Sequence, residues 1–200
     1  MRKLLTVAVV WMMSLCMVAQ ERASSLTVQP KAGLNVSSMM GWNQVKVGYC
    51  FGAELEYQLT DGFSLSAAAI YSDQGGNDKS NNVVSTLDTD YLNVPVMASC
   101  YIFEGFALKA GIQVGFLLNG TLKSDGVKID MDRNLPLYLK MSGDDVRLRK
   151  AVISVPVGIS YEFRKIVLDA RYYFGLTSYT SSSANPLRNN FFQLTLGYKF

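Results

Sequence analysis

Histidine does not occur anywhere in the 200 residues. Its absence excludes Ser–His and Cys–His nucleophilic machinery, imidazole metal sites, and the His-dependent chemistry of known membrane-embedded lipases and deacylases. Cysteine is almost as scarce, with three in the chain, and no CxxC pair is formed. There is no Gly-rich phosphate loop, and Asp130-x-Asp132 lacks the Gly and distal Glu of a calcium loop. No catalytic, cofactor-binding or metal-binding residue is therefore assigned, and a non-enzyme is expected. A surplus of one charge is missing too: 19 basic residues stand against 16 acidic ones, which leaves no footprint for nucleic acid. Beyond residue 18 there is no apolar run of about 18 residues, so the sequence offers no spanning helix.

The chain opens on two cations, Arg2 and Lys3, followed by fifteen uncharged residues from Leu4 to Val18 and then polar Gln20, Glu21 and Arg22. This is the pattern of a secretory signal peptide, too short for the roughly 20 apolar residues of a membrane anchor. Residues 1–19 are expected to be removed by cleavage at about 19–23 after Sec export, leaving a domain over residues 24–200. Leu15 is too large for the small residue a lipobox places before Cys16. Without Arg2 and Lys3 the balance is 17 basic to 16 acidic.

What fills the remainder is period-two alternation. Over residues 46 to 59, Val47, Tyr49, Phe51, Ala53, Leu55, Tyr57 and Leu59 share one face, while Lys46, Gly48, Cys50, Gly52, Glu54, Glu56 and Gln58 share the other. Fourteen residues in unbroken phase exclude an amphipathic helix. The same reading gives strands near residues 26 to 37, 63 to 72, 91 to 102, 106 to 118, 151 to 163, 166 to 176 and 190 to 200, eight in all. Connections alternate between tight turns (60–62, 103–105, 164–165) and longer loops (38–45, 73–88, 119–150, 177–189). Short turns at one end and long loops at the other belong to an all-β, eight-stranded antiparallel up-and-down transmembrane β-barrel, its tight turns in the periplasm.

Alternation alone does not exclude a soluble barrel or sandwich. The loop asymmetry, the content of the polar face, the placement of aromatics and the chain end favour the membrane barrel over it. One is apolar; the other is rich in Gly and Ser and carries Lys31, Glu54, Glu56, Lys109, Glu162, Asp169, Arg171 and Lys199. Eight strands enclose little more than side chains, so these charges are expected to form a paired network filling the lumen. Aromatics gather beside the tight turns at Tyr57, Phe63, Phe103, Phe106, Tyr161, Phe163 and Phe200, as an interfacial girdle does. Tyr198 and the final Phe200 resemble the signal by which the barrel-assembly machinery recognises its clients. Cys50 falls on the polar face and Cys100 on the apolar face of a strand two places away, so no disulfide between them is predicted. Pro95 and Pro156 lie on the inward face, where the missing amide predicts a bulge.

Several segments are similar to the PorT-like outer-membrane β-barrel family of Bacteroidetes-type bacteria: KAGLNVS at 31 to 37, YLNVPVMASCY at 91 to 101, LKAGIQVGFLLNG at 108 to 120 and ARYYFGLTS at 170 to 178, with Tyr-Leu-x-x-Pro the most specific. The resemblance implies an eight-stranded barrel in the outer membrane of a Gram-negative bacterium and no assigned activity. The expected role is structural, in assembly or in surface interaction, with outer-membrane lipid as surroundings and no cofactor. A narrow pore is the alternative, and a lipid-modifying enzyme a distant third. A protein partner would meet residues 119–150, a stretch dense in charge whose apolar pieces Val127-Lys128-Ile129 and Leu135-Pro136-Leu137-Tyr138-Leu139 are placed to extend a hairpin above the membrane.

Overall fold

The computed structural model describes residues 25–39, 45–80, 83–124, 127–131, 139–141, 144–146, 150–177 and 189–200. The expected signal peptide and most of the 177–189 loop lie outside the described residues. Eight strands build the barrel wall: β1 (Ser25–Met39), β2 (Lys46–Thr60), β3 (Phe63–Ser80), β4 (Val83–Phe103), β5 (Phe106–Ser124), β9 (Ala151–Phe163), β10 (Ile166–Gly175) and β11 (Asn189–Tyr198). Three short strands lie between β5 and β9: β6 (Val127–Met131), β7 (Leu139–Met141) and β8 (Asp144–Val146). Each wall strand pairs antiparallel with its neighbours; β1 meets β11, and the β4–β5 and β5–β9 ladders complete the ring. This is the closed eight-stranded barrel that the alternation predicts.

The barrel is inside-out relative to a soluble protein. Leu34, Phe51, Ile112, Val157 and Leu196 face outward and are exposed, while Lys31, Glu54, Lys109, Asp169 and Arg171 are buried. An apolar belt of this extent is stable only against lipid, since soluble monomers rarely expose more than a few hundred Å² of it. Aromatics ring both ends. Near the tight turns Phe103 stacks on Phe106 at 4.8 Å and Tyr198 meets Phe200 edge-on at 4.8 Å. A second group toward the long-loop end joins Tyr49, Phe51 and Tyr71, with Tyr172 against Phe174 at 4.7 Å. The sequence reading identified only the first of these girdles.

Two expectations are corrected. Residues 73–88 are not a loop: β3 and β4 stay paired out to Ser80↔Val83, and β5 continues into a hairpin with β6 through Ser124↔Val127. Gly75-Gly76 suggests a turn, but Gly75 takes φ 147°, open to glycine, and the ladder passes through it. The β-branched partners Thr86 and Thr89 on β4 favour extended backbone, which holds the segment in the sheet. A sheet of β3, β4, β5 and β6 thus rises beyond the barrel rim.

The second correction concerns the prolines. No register shift occurs at Pro95 or Pro156. The β3–β4 ladder omits the bridges between Ala67↔Val96 and Ile70↔Asn93, and the β5–β9 ladder omits those between Ala110↔Val157 and Gln113↔Ser154, each resuming in the same register. A proline costs its own donor without inserting a residue, so the pairing opens locally and closes again. The register shifts lie instead at Gln58/Thr60, Asp90/Tyr91 and Tyr101/Phe103.

Candidate functional site in the barrel lumen

The inward positions of four strands converge on one buried charge cluster. Period two sends Lys31 of β1, Glu54 of β2, Lys109 of β5, and both Asp169 and Arg171 of β10 to the same side of the wall. Room for the long cations comes from glycine across the ladder. Lys31 pairs with Gly52 on one side and Gly197 on the other, and both Lys109 and Arg171 pair with Gly158. A Cβ at Gly158 would collide with the Ala170 carbonyl and the Arg171 side chain.

Glu54 is the hub. One carboxylate oxygen accepts from Lys31 Nζ at 2.8 Å and Arg171 Nη2 at 2.7 Å, and the other from Lys109 Nζ at 3.2 Å. Asp169 accepts from Arg171 Nε at 2.6 Å and from Nη2, and from Lys109 at 3.3 Å, with Lys31 3.5 Å away. Three cations thus share two carboxylates, and none of the five residues is more than 4% exposed. Removing such charges from water costs several kcal/mol each, which only close pairing offsets.

The other three sequence-selected residues form a separate group nearer the tight turns. Lys199 Nζ lies 2.8 Å from Glu162 and 3.3 Å from Glu56. Glu56 also accepts from Ser64 Oγ and the Tyr101 hydroxyl, both at 2.6 Å. One cation here meets two carboxylates, so the two groups carry opposite imbalances and together hold four cations and four carboxylates.

Above the pentad the polar column is neutral. Tyr173 OH donates to Gln193 at 2.9 Å, Gln193 Nε2 to Asn35 at 2.9 Å, and Asn35 Nδ2 to Ser72 Oγ at 2.7 Å. At the long-loop end Lys46 pairs with Asp73 at 2.6 Å and Asp88 at 2.8 Å. The alternation puts Tyr101, Asn35, Gln193 and Tyr173 on the inward face, but a charge-based choice of site residues passes over these neutral donors. Inward apolar residues also fill space: Tyr173 stacks on Phe191 at 4.2 Å, and Cys50, a free thiol, packs with Ala68 and Ile70. A void of about 10 Å³ bounded by Gln74, Asn93, Gln113, Ser154 and Phe191 has space for about one water.

Chemically the pentad is a buried ion-pair network joining four strands. Each carboxylate is surrounded by donors, leaving no free acid–base pair, and among the described residues no cluster of metal-binding side chains occurs.

A family profile described as outer membrane protein beta-barrel domain matches residues 18–181. No curated protein matches the chain. Solved structures that share the fold include the following two. The attachment invasion locus protein Ail of Yersinia pestis, solved with the heparin analogue sucrose octasulfate, superposes with a TM-score of 0.54 at 13% identity, covering 90% of this chain and 100% of Ail. Neisserial surface protein A superposes with a TM-score of 0.54 at 14% identity over 90% and 100% of the two chains.

Proposed function

This chain belongs to the family of outer membrane protein beta-barrel domains, and from that premise we propose that it is a non-enzymatic, plugged barrel that holds its β3–β6 sheet at the cell surface to meet a protein partner. The observation that carries the plugged reading is the pentad. Glu54 and Asp169 draw Lys31, Lys109 and Arg171 across the lumen, and the deep burial of all five side chains supports a lumen closed to a hydrated ion. The rising sheet supports the surface role, since β4 and β5 extend well beyond the span of about 9–11 residues that crosses a bilayer.

Two measurements test this. In planar bilayers the wild-type protein is expected to give no stable single-channel steps; steady unitary conductance would replace the plug with the narrow-pore reading. In cross-linked cells, a partner captured by the full chain should be lost on deletion of residues 121 to 148, and undiminished capture would remove that stretch from the interaction.

Within the family we place the chain among PorT-like barrels of Bacteroidetes-type bacteria, on Tyr91-Leu92 with Pro95 and the other segments quoted above. The tight turns are read as periplasmic and the rising sheet as extracellular. Tyr198 and Phe200, outward on the last strand and past its end, are read as the contact for the assembly machinery. Export by a cleaved signal peptide predicts a mature N-terminus between residues 20 and 24 by Edman sequencing; recovery of Met1 from outer-membrane fractions would refute cleavage.

A further inference from the structure

The outer wall dips where the first and last strands meet. A groove of about 450 Å³ is lined there by Pro30, Lys31 and Ala32 of β1, Ile166 of β10, and Leu196, Gly197 and Tyr198 of β11. The cause is local. Pro30 has no amide to give, so the β1–β11 ladder begins only at Lys31↔Gly197, and beyond it a single bond from Phe200 N to the Val28 carbonyl, 3.0 Å, closes the seam. Ala32 and Gly197 present little side chain there, and the long side chain of Lys31 turns inward to Glu54.

The β9–β10 turn stands at the tight-turn end of this groove and carries two adjacent exposed cations, Arg164 and Lys165. Lys165 Nζ lies 5.9 Å from the ring of Tyr198, itself a wall of the groove, and the Arg164 guanidinium lies 5.6 Å from the ring of Phe163. Neither cation makes an ion pair among the described residues, and the nearby Glu162 is engaged by Lys199 at 2.8 Å. Arg164 also adopts φ 59°, whereas Gly105 supplies the positive φ in the β4–β5 turn. An arginine in that setting keeps a charge where glycine would make the easier turn.

An apolar groove alone selects nothing in a bilayer, since the lipid around it is equally apolar. A groove ending in unpaired cations at the depth of the aromatic girdle does select, by the charge of the headgroup. We propose that this seam is a binding site for one anionic phospholipid, with an acyl chain between Ala32 and Tyr198 and the phosphate against Lys165 and Arg164. The site rests on the reading above that the tight turns face the periplasm, where the leaflet is built of phospholipid.

The test uses the purified full-length barrel in detergent, equilibrated with equimolar phosphatidylglycerol and phosphatidylcholine and read by native mass spectrometry. Wild type should retain phosphatidylglycerol over phosphatidylcholine by roughly fivefold or more, the scale of one cation near a lipid surface. The double variant Arg164→Ser/Lys165→Ser should bring that ratio to near one. Ala32→Phe, an apolar change on the lipid face that fills the groove, should lower phosphatidylglycerol retention several-fold, with the heat-modifiable gel shift of the folded barrel kept. Equal retention of both lipids by wild type, or an unchanged ratio in the double variant, would overturn the site. Sidedness is read separately: Lys165→Cys should stay unlabelled by an impermeant maleimide on intact cells. Labelling above the wild-type background would overturn the periplasmic placement while leaving the purified-protein result to stand or fall by itself.

Discussion

Glu54→Ala should cost the barrel about 3–5 kcal/mol in reversible unfolding from lipid vesicles, the range for removing one partner of a buried ion pair. Glu54 receives Lys31, Lys109 and Arg171. Without it, three cations crowd one carboxylate in a space that water does not reach, and their mutual repulsion is no longer offset. Glu162→Ala is the internal control. Its carboxylate is 27% exposed and, among the described residues, pairs with Lys199 alone among the cations, so its loss should cost about 0–1 kcal/mol, as for surface pairs. A second comparison uses the charge count. Adding Lys31→Met to Glu54→Ala removes one stranded cation and should recover part of the loss, a non-additivity expected of residues in one network. Equal costs for Glu54→Ala and Glu162→Ala, or strictly additive effects in the double variant, would show that the pentad is not the electrostatic centre of the barrel.

The second large effect separates the two faces of one strand. Val155→Arg should destabilise the folded barrel by about 2–4 kcal/mol near the middle of the lipid belt, because the guanidinium has no water or counter-charge within reach. Ser154→Arg should be milder, although Ser154 is the more buried residue. Its side chain points inward beside the small void near Gln74, Gln113 and Thr177, where polar groups rather than hydrocarbon surround a guanidinium. Burial and cost therefore run in opposite order, as they must when the solvent outside is hydrocarbon. Equal destabilisation of the two variants from lipid vesicles would overturn the assignment of faces.

Strand-level structure was legible because the side-chain period of a strand is fixed at two. Val47 to Leu59 on one face and Lys46 to Gln58 on the other needed no tertiary information, and the residues of β2, β5, β9, β10 and β11 face as that rule requires. Two features were misread for one shared reason. The stretch 73–88 reads as a loop and the two prolines as bulges, yet in a closed ladder each strand is held by partners on both sides. Thr86 and Thr89 carry β3 past its glycines, and the β4–β5 and β9–β10 registers carry Pro95 and Pro156 without a slip.

By itself the sequence determined the number of wall strands, their alternation, the tight turns and which charges point inward, since each of these follows from local periodicity and turn chemistry. Only the tertiary structure decided how those charges divide. Lys31, Glu54, Lys109, Asp169 and Arg171 come from four strands far apart in the chain, and their grouping depends on strand stagger around the closed ring, which no local pattern encodes. Closure also made the seam at Pro30, where strands from opposite ends of the chain meet, and so set Lys165 beside a groove that neither end describes alone.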